Sequence, residues 1–507
     1  MISSFKAADR WVKIGLLAVV VLYFAMVLYQ AITLRIAGAA DSYAHLDYVW
    51  QVYNGHLPTG YGYELEGRRG PSETERHLTA AHPPLFYALL ALIIGPILAT
   101  GDWQFATVIA RGVNITLGFA VLVSLAWAAW RLGGALRNQL VIVAPAMGVL
   151  VVAFIRVAGD NYNDVLVVLL STIAITASCI VLKEGPATRY LVVIVVVSVL
   201  GMASRATFIA TLGLAMLAIA TSIYLHRPQW SAKRKIGTIA AWWVGTATIV
   251  IVSIGWFYLR NQEASGSWFR SRPKQAVVSR EYKSLWDNLT DLNFYTVVPG
   301  RLLGIREWNG LLPINYVLSL AISAVCLVGL VIWLFRGARW KRILASRSSV
   351  AIVAFLVIQM IALYVMQLQH ATGWGNLNPR YFLPGLVITA LALAIGSLGW
   401  RRARGFVAAV IIGVMAVGGM IDSIWYNSRF NADPSLNTFL TLGGIAGIST
   451  LVIAISLFRT TAQPTAAVAG DTEDAECAEN AEETAVANEL DVDDVPDDID
   501  EARGVPV

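Results

Sequence analysis

PPLFYALLALIIGPILA, residues 83–99, is the stretch on which the topology turns. It is apolar throughout, yet it opens on two prolines, carries Gly95-Pro96 in its second half and falls short of the roughly 20 residues that cross a hydrocarbon core. Whether it crosses decides the side of every loop after it. The surrounding chain is 57% hydrophobic and repeats long Leu/Val/Ala runs. Only helices or closed barrels satisfy backbone groups in lipid, and continuous runs rather than short alternating strands choose helices. Spans are expected at 12–34, 105–130, 138–158, 163–183, 189–203, 206–225, 234–258, 313–336, 349–368, 381–399, 404–424 and 438–458. If 83–99 stays out of the membrane, the loops bearing Arg131/Arg137, Arg227/Lys233/Arg234/Lys235, Arg339/Lys341/Arg342 and Arg401/Arg402/Arg404 share the side of Lys6 and Lys13. If it crosses, all of them flip outward. Cytoplasmic loops are the lysine- and arginine-rich ones, so the expectation is an all-α polytopic membrane protein. It has about twelve transmembrane helices, both termini cytoplasmic, and 83–99 as a juxtamembrane helix on the outer face of the cell membrane.

Charge divides the chain in two. Fifteen of its 33 acids fall within 471–501, leaving 18 acids against 37 bases before that point. The tail has no aromatics and few large apolar residues, a composition that cannot bury a core. The division expected is a transmembrane domain over 1–458 and a disordered, acidic, cytoplasmic tail over 459–507. Cys179 and Cys326 sit inside apolar runs and Cys477 in the tail, which suggests neither a disulfide framework nor a zinc site. Residues 14–34 are too long for a signal-peptide core and read as a retained span.

In this topology only Asp9 and Glu184 of the 18 acids face the cytoplasm. The rest lie outside, mainly in loops 35–104 and 259–312. Loops this long are usually functional or disordered, and these are too aromatic for disorder. ADSYAHLDYVWQVYNGHLP (40–58) holds Asp41, His45, Asp47 and His56 among tyrosines and Trp50. From Tyr43 to Trp50 its apolar positions recur at helical spacing, so a short amphipathic helix on the membrane surface is expected. Asp41 stands just before it, as a plain N-cap or as a functional boundary charge. His45 reads as a hydrogen-bonded loop histidine, with a ligand role as the alternative. Arg111, Arg156, Arg205, Arg260 and Arg380 stand near outer span ends. Singly each suits snorkelling to headgroups; together they suit an anionic headgroup, whose phosphate a guanidinium fork matches. GDNYND (159–164) places Asp160 and Asp164 beside Asn161 and Asn163, an oxygen-rich knot that is a candidate site for a divalent cation.

No phosphate-binding glycine loop, H-E-x-x-H or G-x-S-x-G occurs, and no pair of corresponding halves with broken helices marks a secondary transporter. Three functions stay open at this point: an enzyme acting on a lipid-linked substrate, a transporter of a polyprenyl-linked lipid or oligosaccharide, and a membrane scaffold whose acidic tail recruits partners.

Four stretches carry a family resemblance. They are residues 40–58, HPPLFYALLALIIGPIL (82–98) with FATVIARGVNITLGFAVLV (105–123), GDNYNDVLVVLL (159–170), and WFYLRNQEASGSWF (256–269) with NPRYFLPGL (378–386). In these the chain resembles the GT-C glycosyltransferases, integral membrane enzymes that take a sugar from a polyprenyl-phosphate carrier. Among them it is most similar to the protein O-mannosyltransferase and aminoarabinose-transferase-like bacterial proteins. The resemblance covers roughly the first 400 residues. It implies Asp41 as catalytic base; Arg380, Arg260 and Arg205, with Tyr381, at the carrier phosphate; and His82, which stands where some relatives have lysine, beside them. It leaves Asp164, Asp160 and His45 as acceptor or metal contacts. Many relatives have a second acid after the first, where this chain has Ser42. The partners implied are a polyprenyl-phosphate-linked sugar, membrane lipids and a glycan, lipid or protein acceptor, with no nucleic acid among them.

Overall fold

The computed structural model describes residues 9–34, 40–66, 72–77, 79–269, 282–303, 314–373, 375, 377–400, 403–428 and 435–462. It is overwhelmingly helical, and several helices begin where a short polar residue precedes an apolar run. Asp9 caps α1 (Arg10–Thr33) by accepting from Trp11 N at 2.9 Å, and Asp102 caps α4 (Trp103–Leu132) by accepting from Phe105 N at 2.9 Å. Before α4 come α2 (Ala40–Tyr53) and α3 (Leu85–Ala99). After it come α5 (Arg137–Val149), α6 (Val152–Ala158), α7 (Asp164–Glu184), α8 (Thr188–Ser204), α9 (Ile209–His226) and α10 (Ala232–Ser265). The chain closes with α11 (Leu285–Thr290), α12 (Leu292–Leu303), α13 (Ile314–Phe335), α14 (Arg339–Ala345), α15 (Arg347–Ala371), α16 (Leu386–Leu398), α17 (Arg404–Ser428) and α18 (Leu436–Ala462).

Ten helical segments among the described residues are long and apolar enough to span a membrane. An eleventh expected span, 138–158, is a bent pair: α5 and α6 meet at 69° across Leu150–Val151. The twelfth, α8, is 17 residues and correspondingly short. The helix α10 runs to Ser265, past the expected end at 258, so Arg260 stands on the helix and not in the loop beyond it. A two-stranded antiparallel hairpin, β1 (Tyr61–Tyr63) with β2 (Ser72–Arg76), adds to the all-helical expectation. The compact unit of the fold is Met1–Thr460, followed by a second unit, Thr461–Val507. The helix α18 continues four residues past 458. The acidic tail, from residue 463 on, lies outside the described residues.

The stretch 83–99 is a 15-residue helix with Pro96 inside it, and it packs on α2. Gly95 makes that packing possible: a Cβ there would collide with the ring of Tyr53. The apolar face of α3 thus covers α2, and α2 is no surface amphipath: residues 42–49 are all buried. Polar groups that lose water must find partners, and this explains the chemistry of the segment. The Asp47 Oδ1 accepts from the backbone N–H groups of Glu64 and Leu65, both at 2.7 Å. Its Oδ2 accepts from Gln51 Nε2 and faces His77 Nε2, each at 2.8 Å. The Tyr43 hydroxyl donates to Leu65 O and that of Tyr48 to His82 O. These bonds bind α2, the hairpin and the approach to α3 into one body.

The other wall of the site hangs on α16. Gly329 of α13 meets Gly396 and Gly399 with no room for a Cβ, because backbone carbonyls fill the space on both sides. Small residues let helices approach to backbone contact in this way. The 3-10 turn Pro379–Gly385 leads directly into α16, so its position is inherited from that contact.

Candidate functional site

Asp41 lies in the first turn of α2, one residue inside the helix and not at the N-cap. Its side chain accepts from Arg380 NH2 at 2.6 Å, across 339 residues of sequence. Arg380 is held by its own turn: Pro379 starts it, and Asn378 Oδ1 accepts from Arg380 N at 3.2 Å. The guanidinium lies 5.1 Å from the ring centre of Tyr162 and 5.8 Å from that of Tyr381, flanked by π faces that suit a cation. Its Nε is buried with no hydrogen-bond partner. The pair borders a cavity of about 210 Å³ that also touches Gln30, Arg156, Asp160 and Tyr162.

Asp160 reaches this cavity because the preceding Gly159 packs against Gln30, where a Cβ would press on the Gln30 side chain. The Asp160 Oδ1 accepts from Ser42 Oγ at 2.8 Å and lies 3.5 Å from Arg111 Nε. Ser42 therefore ties α2 to the 159–164 turn through a hydrogen bond, where a second acid would have faced Asp160 carboxylate to carboxylate.

A second pair stands alongside. Arg205, at the break after α8, contacts the Asp164 Oδ1 at the start of α7, and its guanidinium lies 5.2 Å from the Tyr381 ring. The Asp164 Oδ2 is buried without a hydrogen-bond partner. His45 and His82 complete the group. Their rings are 6.1 Å apart, and that of His45 is 5.1 Å from Tyr162, while its Nδ1 lies 2.9 Å from the Tyr87 hydroxyl. Burial lowers the pKa of both histidines well below the usual imidazole value, and the nearby Arg205 and Arg380 charges lower it further; His82 adds to the effect on His45. Both rings are neutral at pH 7, and each offers one N–H donor.

The structure thus gathers Asp41, Arg380, Arg205, Tyr381, Asp164, Asp160, His82 and His45 into one cluster. No contact among the described residues joins Arg260 to it, against the expectation: its NH2 donates to the Pro58 carbonyl, and its NH1 is buried without a partner. Arg111 is no headgroup ligand. It is buried, and its NH1 donates to the carbonyls of Ala31 and Leu34 at 2.8 and 2.9 Å, satisfying the open end of α1. The asparagine–aspartate knot has part of its carboxylate oxygen already engaged. Asp164 is committed to Arg205 and Asp160 to Ser42 and Arg111, and no group of three or more His, Cys, Asp or Glu converges among the described residues. Sequence reasoning missed Gln30 and the Asp47–His77 contact. A glutamine in the last turns of an apolar span was the available signal for the first; nothing in the sequence marked the second.

No family model matches the sequence, and no curated protein does. Among the solved structures similar to it are two of ArnT from Cupriavidus metallidurans. The form bound to undecaprenyl phosphate aligns over 90% of this chain and 76% of its own at 15% identity, with a TM-score of 0.51. The apo form aligns over 87% and 75%, also at 15% identity, with a TM-score of 0.49. The likeness to the bound form is one of fold, the polytopic, helical membrane architecture expected from the sequence.

Proposed function

We propose that this protein is a membrane glycosyltransferase that moves a sugar from a polyprenyl-phosphate carrier to an acceptor on the outer face of the cytoplasmic membrane. The observation that carries the reading is the Asp41–Arg380 pair at the rim of a polar cavity. Such a pair supplies both groups that the reaction needs. The acceptor hydroxyl must lose its proton as its oxygen bonds to the anomeric carbon; the carbon–oxygen bond to the carrier phosphate breaks, and the electron pair leaves with the phosphate. Asp41 takes the proton. Arg380, backed by Arg205, meets the charge that grows on the phosphate, a preorganised interaction that needs no reorganisation as the bond breaks. His82 adds a neutral N–H donor and Tyr381 holds the two guanidiniums in place, while Asp160, on the cavity wall, accepts from a sugar or acceptor hydroxyl.

The fold likeness to ArnT supports the reading at the level of architecture, and the undecaprenyl phosphate in one of those crystals names the carrier class to try first. The loop charges support cytoplasmic termini, with the cavity at the opposite side. The acceptor is a cell-envelope glycan, a lipid or a protein. The test is transfer of labelled sugar by the purified protein, offered a panel of polyprenyl-phosphate sugars and acceptors. Sugar found on an acceptor bears the proposal out, while carrier binding with no transfer across the panel contradicts it and leaves the transporter.

A further inference from the structure

Arg380 has two claims on it. It holds Asp41 at 2.6 Å, and under the function proposed above it must also hold the carrier phosphate. One guanidinium edge cannot do both well. A phosphate is gripped by two parallel N–H groups of the fork, and Arg380 has committed NH2 to the carboxylate while its Nε stands buried and unfilled. Asp41 is limited in the same way. While its Oδ2 accepts from Arg380, the carboxylate is pinned to the guanidinium and only Oδ1 is left to face an acceptor hydroxyl.

We propose that the Asp41–Arg380 ion pair is a latch that the carrier itself opens: the incoming phosphate takes Arg380 from Asp41, and only then is the carboxylate released to turn to the acceptor as base. Three features suit Arg380 to the exchange. The pair is partly exposed, at the border of the cavity and not behind it. The guanidinium rests against the faces of Tyr162 and Tyr381, contacts that hold its plane while permitting it to slide. Arg205, beside the same Tyr381 ring, is locked to Asp164 and gives the phosphate a second, stationary cation. The latch imposes an order. Carrier binds first and acceptor is activated second, so a hydroxyl or a water entering the empty cavity meets a carboxylate still held by Arg380.

The inference rests on the carrier-dependent reading, and binding alone tests it. The probe is undecaprenyl phosphate, titrated against the full chain in nanodiscs by microscale thermophoresis. Wild type is compared with Asp41→Asn, Arg380→Gln and the double variant, each first shown to melt as a folded protein. A latch predicts that Asp41→Asn tightens binding about tenfold, because the phosphate no longer competes with a carboxylate for Arg380. It also predicts that this gain vanishes in the Arg380→Gln background, a coupling that the double-mutant cycle isolates. Equal or weaker binding by Asp41→Asn overturns the latch and leaves the glycosyltransferase standing. A gain that persists without Arg380 also overturns it, since that is plain repulsion between Asp41 and phosphate. No binding by wild type, nor by Asp41→Asn, sinks both the latch and the carrier-dependent function beneath it.

Discussion

The two aspartate–arginine pairs of the site share one tyrosine, Tyr381, and differ in their access to water. In Asp164–Arg205 both side chains are almost closed off, at 5% and 6% exposure; in Asp41–Arg380 they keep 30% and 20%. A closed pair is costly to separate and poorly placed to exchange partners. An open pair costs little to break and borders space that a substrate can enter. Similar chemistry thus takes two roles through burial alone. Asp164–Arg205 joins α7 to the end of α8 and fixes a positive charge, while Asp41–Arg380 brings α2 to the turn before α16 and can change partners.

Asp41→Asn puts this contrast under the greatest strain. Loss of a general base lowers transfer by about 10²- to 10⁴-fold, with the melting temperature little changed because the pair is only partly buried; a labelled-sugar assay beside a thermal melt reads both. Arg380→Gln should cost transfer about 10²- to 10³-fold, as removal of a charge-stabilising donor does, and should weaken carrier binding as well. Asp164→Asn reverses the balance. It strands Arg205 in a buried site at about 3–5 kcal/mol, so its melting temperature falls far more than its turnover per folded molecule. An Asp164 variant that melts normally but is inactive would exchange the roles of the two pairs. His82→Gln should be mildest on transfer, roughly three- to tenfold, the worth of one hydrogen bond to phosphate.

The histidines extend the contrast to pH. His45 and His82 have folded-state pKa values below the ordinary 6.5, through burial and then the neighbouring positive charges. Below that value the unfolded chain takes up protons that the folded chain refuses, so stability present above pH 6.5 declines as pH falls. Wild type should lose thermal stability between pH 7 and 5, and His45→Gln/His82→Gln should lose less over the same interval. An identical slope in both would show that these imidazoles take up protons as readily in the folded chain as in the unfolded one.

Much of this was legible in the sequence, and what was missed has a common cause. The apolar runs located the spans, and the Gly95-Pro96 break marked 83–99 as different. Asp41, Arg205 and Arg380 stood out as charges at span ends. Their partners did not, because a period of 3.6 residues reports which face of a helix is apolar and says nothing of what reaches it from 339 residues away. For the same reason Arg111 suggested a headgroup and proved to close the end of α1. Helix α2 misled for a different reason. Its polar residues match the pattern of a wet face, yet they are buried and bonded to the hairpin and the 159–164 turn, elements that only the folded chain brings to it.

The decisive experiment sets the two aspartates side by side: sugar transfer and undecaprenyl phosphate binding for wild type, Asp41→Asn and Asp164→Asn, each at matched folded concentration. Asp41→Asn is expected to bind carrier about tenfold more tightly than wild type and to transfer nothing measurable, while Asp164→Asn retains transfer in proportion to the fraction folded. Full transfer by Asp41→Asn would contradict the division of roles between the two pairs, since the carboxylate of the open pair could not then be the group that takes the proton.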